Sequence, residues 1–172
     1  STFKGIFYVL KKIINFFILV FLFVCSVEAQ TKKDVADKLF SNRQYSSAQS
    51  VYQEIINQGD QDDLVSYYHA RCAKELFNSD ALFLYNKFIQ DYPYSNLLGK
   101  AHEDIALIYF HQKDYSQTVK ILQNIDLSDL NSSLKFKLAY SNFKIDSLQE
   151  ASYLFSSLIK QKNKYSEPSK YY

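Results

Sequence analysis

Small residues return along this chain at an interval close to 34. Ala48, Ala81, Thr118 and Ala151 are separated by 33, 37 and 33 positions. Each sits in one pattern, with a lead residue three before it and apolar residues four and seven after. The four runs are Tyr45…Ala48…Tyr52…Ile55, Asn78…Ala81…Tyr85…Phe88, Tyr115…Thr118…Leu122…Ile125 and Leu148…Ala151…Phe155…Leu158, with Asn78 and Thr118 the imperfect members. A second small residue precedes each run: Ala36, Ala70, Ala106 and Ala139. The apolar residues around these anchors, such as Val35 and Leu39 or Ile105 and Tyr109, stand one and three from the anchor and four from each other, which is the spacing of a helix face and not of a strand. Self-similarity at such a period marks stacked supersecondary units. Each unit therefore reads as helix A, a tight polar turn and helix B, and the small residues let the paired helices approach closely. In the second unit Ala70 is the better anchor, which makes that turn one residue shorter; His69 in its place would crowd the helix contact.

Composition agrees with helices. The 172 residues include only 3 Gly and 2 Pro, too few for the many tight turns of an all-β protein. With 47% hydrophobic residues, 15 Tyr and 14 Phe, the chain has ample apolar surface to bury and does not read as disordered. Its 20 basic and 18 acidic residues are too balanced to indicate a nucleic-acid partner.

The first stretch reads as an address. Lys4, Lys11 and Lys12 precede the apolar run Ile13 to Val24, and Val27 and Ala29 supply small residues before a cut. That is the tripartite form of a secretory signal, expected over residues 1–29 with cleavage after Ala29. Twelve residues, all apolar but Asn15, fall well short of a hydrocarbon core roughly 30 Å thick. Two alternatives are an uncleaved anchor and lipidation at Cys25, although Val24 before that cysteine does not suit the latter. Without residues 1–29 the remaining chain has 17 basic and 17 acidic residues and only Cys72, so no intrachain disulfide is expected.

Chemistry-bearing patterns are weak. His102-Glu103-Asp104 lies on a helix, but a zinc helix needs a second histidine four away; His69, His102 and His111 are expected to be solvated. Asp60-Gln61-Asp62-Asp63 begins like a calcium loop but has Val65 and Arg71 where glycine and glutamate are needed. Its acids better suit the cap of a helix starting near Leu64. Cys72 reads as a buried, inert thiol inside a helix. Asn131-Ser132-Ser133 matches a glycosylation sequon. No nucleophile elbow or phosphate loop is present, and Gly5, Gly59 and Gly99 stand isolated. The expectation is therefore a chain that is not an enzyme, with no catalytic residue, no cofactor and no metal.

The array resembles tetratricopeptide repeats, with Ala106, Tyr109, Tyr115 and Asp91-Tyr92-Pro93 at the places where that family has its small, aromatic and proline residues. More narrowly, ELFNSDALFLYNKFIQDYP and KYSEPSKYY look like the N-terminal repeats of large secreted proteins of bacterial envelopes. The resemblance implies an all-α helical-hairpin solenoid over residues 30–162, in units of about 30–62, 63–95, 99–132 and 132–162. Residues 163–172 would open a further, truncated repeat, with Pro168 in its first helical turn and more repeats beyond Tyr172. Half a repeat is expected to find no partner for its apolar face.

In that family helix A lines a concave surface. Removing the core positions leaves Phe40, Tyr67, Arg71, Lys74, Leu107, Phe110, His111, Phe136, Tyr140, Phe143 and Lys144 as the expected partner-binding set, with Asp37 and Glu103 beside them. The alternative is that some of these aromatics complete packing against the next unit. The anchors are Ala36, Ala48, Ala70, Ala81, Ala106, Thr118, Ala139 and Ala151. The implied function is an exported scaffold in the periplasm or at the outer-membrane periphery of a bacterium, binding proteins or peptides. Membrane contact would come only through the signal or an acylated Cys25. The alternatives are an outer-membrane assembly or secretion factor, and an interaction module of a larger protein.

Overall fold

The computed structural model describes residues 32–59, 61–161 and 163–172. The expected signal segment, Cys25 and Asp60 lie outside them. Nine helices run through the described residues, which hold no strand. They are α1 (32–41), α2 (Tyr45–Asn57), α3 (Asp63–Glu75), α4 (Ala81–Asp91), α5 (Leu98–His111), α6 (Tyr115–Leu122), α7 (Ser132–Lys144), α8 (Leu148–Lys160) and α9 (Ser166–Ser169). No described helix is long and apolar enough to cross a membrane. The fold is all-α and of tetratricopeptide type: α1, α3, α5 and α7 are A helices, and α2, α4, α6 and α8 are their B helices.

The chain divides within α3 into two compact units, the first ending at Cys72 and the second starting at Ala73. In the first, Ala36, Ala48, Tyr52, Ile55, Val65 and Cys72 form a sealed core, with Leu39, Phe40, Tyr45 and Tyr68 packed on it. In the second, α5 packs on α6, α6 on α7 and α7 on α8. Its main cluster joins Ala106, Leu122, Leu134, Leu138, Ala139, Leu154, Phe155 and Leu158. All eight anchor positions are at most 2% exposed. A larger side chain at any of them would have to push its partner helix away.

The turns between A and B helices share one geometry. Arg43, Phe77, Lys113 and Asp146 all take positive φ, between 56° and 62°. In each turn this residue's N–H bonds the carbonyl three before it, and the next N–H reaches back five. Thus Lys113 bonds Phe110 and Asp114 bonds Tyr109, while Asp146 bonds Phe143 and Ser147 bonds Asn142. This is the Schellman ending, in which a left-handed residue closes the last helical carbonyls. Glycine is the residue best suited to that place, and none of the four has it. The left-handed residue lies seven after the A anchor in every hairpin, but only four before Ala81 against five before Ala48, Thr118 and Ala151. The shortening of the second turn is therefore located after Phe77.

Helix starts use side-chain caps where the sequence offers them. Asp62 Oδ1 accepts from the N–H of Leu64 at 2.8 Å, opening α3. Asp114 caps α6 through the N–H of Gln117. Asn131, read above as a sequon residue, accepts from the N–H groups of Ser133 and Leu134 and so caps α7.

Three expectations need correction. His69 is not solvated but 7% exposed. It stands one before its anchor, like Ile105 and Leu138, which are 5% and 4% exposed, and that register faces inward. Val35 shares the register yet is 52% exposed. The end of the chain does find a partner: α9 packs on α8, and Ser166 and Ser169 are buried. Ser166 donates from its hydroxyl to the Leu158 carbonyl at 3.1 Å.

Candidate partner-binding face

The residues of the expected face all stand three before, or one, four or five after, an A anchor. In the first unit these residues pack as an aromatic group crowned by a cation. Phe40 meets Tyr45 edge-on at 5.3 Å and Tyr68 at 4.8 Å. The Arg71 guanidinium lies 5.3 Å from the Phe40 ring centre and 5.9 Å from that of Tyr68. A cation over ring faces is held by their quadrupoles, so Arg71 is placed and not loosely solvated. Tyr67 departs from the expectation. It is 2% exposed, its ring turned edge-on against Tyr68 at 5.4 Å, so it belongs to the packing and not to an open surface.

In the second unit Lys74 also departs. Its ammonium is bound to Asp104 Oδ1 and lies 3.1 Å from Glu75. Both Lys74 and Asp104 side chains are largely buried, and Tyr85 donates to the other Asp104 oxygen at 2.8 Å. Beside this pair, burial and then the negative charge of Asp104 hold the Glu103 carboxyl above its ordinary range. Leu107 is half-buried against the α7–α8 core. Phe110 sits in an edge-to-face trio with Tyr115 at 5.9 Å and Tyr140 at 6.0 Å, and the Lys137 ammonium lies 5.7 Å from its ring centre.

The aromatics of α7 are engaged by the end of the chain. Tyr172 meets Tyr140 edge-on at 5.4 Å and Phe143 at 5.3 Å, and stacks on Phe155 at 5.3 Å. Phe136 packs on Tyr165 at 5.5 Å. His111 and Lys144 are exposed, as is Phe143 at 36%. The expected set therefore divides: Arg71, Phe40, Phe110, Phe136 and Tyr140 are half-buried in ring contacts, whereas His111, Phe143 and Lys144 face solvent.

Two features were not read from the sequence. Buried tyrosines at the fourth place after the first two B anchors, Ala48 and Ala81, find carboxylates on A helices: Tyr52 donates to Asp37 at 2.6 Å, as Tyr85 does to Asp104. Burial, then the Asp37 carboxylate, holds the Tyr52 phenol protonated well above its ordinary range. The signal available was the phenol itself, since a buried tyrosine hydroxyl needs a partner. The other feature is Phe77, which the turn holds 81% exposed and edge-on to His111 at 6.2 Å. These two rings stand over a cleft of about 360 Å³ that also reaches Lys74, Ser79, Ala81 and Ile108.

Among the described residues, no group of three His, Cys, Asp or Glu side chains is gathered as a metal site would require. No protein-family model matches the sequence, and a comparison with curated proteins finds no match. Among solved structures of matching fold is one titled MamA AMB-1 P212121, a tetratricopeptide-like helical repeat protein. It is 16% identical, with a TM-score of 0.64, over 76% of this chain and 77% of that one. At that identity the likeness is one of fold.

Proposed function

We propose that this chain is a non-enzymatic scaffold that holds protein or peptide partners on its helix-A faces. The observation that carries the reading is the division within single A helices. In α5, Ala106 is sealed at 1% exposure while His111, five residues on, is exposed; in α7, Ala139 is fully buried while Phe143 and Lys144 are open. Aromatic side chains such as Phe143, open at the edge of a packed helix, are of a type enriched at protein interfaces. The tetratricopeptide-type fold, shared with MamA, supports the same reading by analogy.

A photoreactive residue placed at His111 or Lys144 of the whole chain tests it, with Tyr153 on helix α8 as the control. Cross-links to another protein from 111 and 144 but not 153 are expected. Equal cross-linking from 153, or none from 111 and 144, would overturn the proposal.

Export to the periplasm or outer-membrane periphery is a further part of the proposal and rests on residues 1–29 alone. N-terminal sequencing of the mature protein should begin at Gln30. An acylated Cys25 would instead favour a membrane-anchored assembly or secretion factor, and a retained leader would refute cleavage.

A further inference from the structure

We propose that the cleft beside the α3–α4 turn takes one large, uncharged aromatic side chain from a partner polypeptide. The inference rests on the helix-A face being a binding surface and names what one end of it recognises.

Phe77, a bulky residue at φ 56°, is a backbone outlier, and such strain persists where the surroundings or a function retain it. Burial does not account for it here, because the ring is 81% exposed. The three equivalent turns place Arg43, Lys113 and Asp146 at this position, all of them hydrophilic and suited to solvent. Only in the second hairpin does the strained residue present an apolar ring to water, and only there does the ring stand over a cleft with a second ring, His111, edge-on to it.

The lining sets the ligand's chemistry. Ala81, Ile108 and the Phe77 ring supply apolar walls, and the volume of about 360 Å³ lies at the small end of ligand sites. Phe77 stands edge-to-face with His111, which also meets Phe110 edge-on at 6.3 Å, and the exposed Phe77 ring can take a further aromatic group in the same edge-to-face manner. No carboxylate lines the cleft, and its one ammonium, that of Lys74, is already paired with Asp104 and Glu75. An anionic ligand would therefore compete with two carboxylates for Lys74, and a cation would meet no counter-charge. Asn78, Ser79 and Gln112 also line the cleft, and their side chains are of the kind that hydrogen-bonds the amide groups of a polypeptide.

The test uses N-acetylphenylalaninamide as probe, followed through the backbone amide resonances of the whole chain. Saturable shifts are expected at Phe77, Ala81, Ile108 and His111, and none with N-acetylalaninamide. Phe77→Gly should abolish these shifts while raising the Tm by about 2–4 °C, as relief of a left-handed residue predicts. A merely structural Phe77 would show the opposite, a lowered Tm. The proposal is overturned by the absence of shifts in the cleft, by shifts that survive Phe77→Gly, or by tighter binding of anionic N-acetylphenylalanine. If the cleft fails while positions 111 and 144 still cross-link to a partner, the scaffold reading stands and only this inference falls.

Discussion

The phenol of Tyr85 donates to Asp104 Oδ2 at 2.8 Å, tying the B helix of the second hairpin to the A helix of the third. Lys74 holds the other oxygen, so a carboxylate that is 7% exposed is satisfied from both sides. Removing one partner of a buried ion pair is more costly than the pair itself is worth, because the remaining charge is stranded. Lys74→Ala should therefore destabilise the chain by about 3 kcal/mol. Tyr85→Phe should cost about 1 kcal/mol, the usual net value of one hydrogen bond. Urea denaturation measures both, and an unchanged midpoint for Lys74→Ala would return that residue to the list of binding candidates.

Glycine at the left-handed turn positions should stabilise the fold. A non-glycine residue there costs roughly 1–2 kcal/mol, partly offset by the extra freedom glycine has when unfolded. Arg43→Gly, Lys113→Gly and Asp146→Gly are each expected to add about 0.5–1 kcal/mol. Lys113→Val, with a branched side chain, should do the reverse. Thermal unfolding of the single variants checks the sign at each turn.

Acid should act on the fold through Asp62 and Glu103 in opposite directions. At Asp62 burial works to raise the carboxyl, but bonds from Lys33 and the Leu64 N–H prevail and hold it below its ordinary 3.8. Its contribution is present above that value and lost as pH falls through the lower folded one. Asp62→Asn should therefore flatten the acid limb of the stability curve.

Glu103 is raised above its ordinary 4.5, first by burial and then by Asp104. Its contribution is full below 4.5 and is lost as pH rises through the folded value. Glu103→Gln should stabilise the chain at neutral pH, by less than about 1 kcal/mol because solvent screens a half-exposed group. Unfolding midpoints at pH 4 and 7 separate the two carboxylates.

The rings of α5 and α7 should divide by cost. Ile105→Ala in the core should lose about 3 kcal/mol. Tyr140→Ala, half-buried among Phe110, Tyr115 and Tyr172, should lose about 2 kcal/mol. Phe143→Ala, more open, should cost less than about 1 kcal/mol. Should Phe143→Ala prove as damaging as Ile105→Ala, it is part of the core and cannot serve as a replaceable contact.

What the sequence determined by itself was the helical hairpin and its anchors. The small residues at 36, 48, 70, 81, 106, 118, 139 and 151 announce helix faces because the 3.6-residue turn is a local property, legible wherever spacing is preserved. The polar turns were legible for the same reason, and so was the shortened second one. Tertiary structure decided the rest. Whether Tyr67 opens to solvent or turns onto Tyr68, whether Lys74 waits for a ligand or holds Asp104, and whether Tyr172 packs on Tyr140 depend on atoms brought together from different segments of the chain. The left-handed Phe77 was hidden too, because no glycine marked its turn. Spacing along a chain says which side chains share a helix face, but a buried charge, a phenol or a ring acquires its role from the partner the fold sets against it.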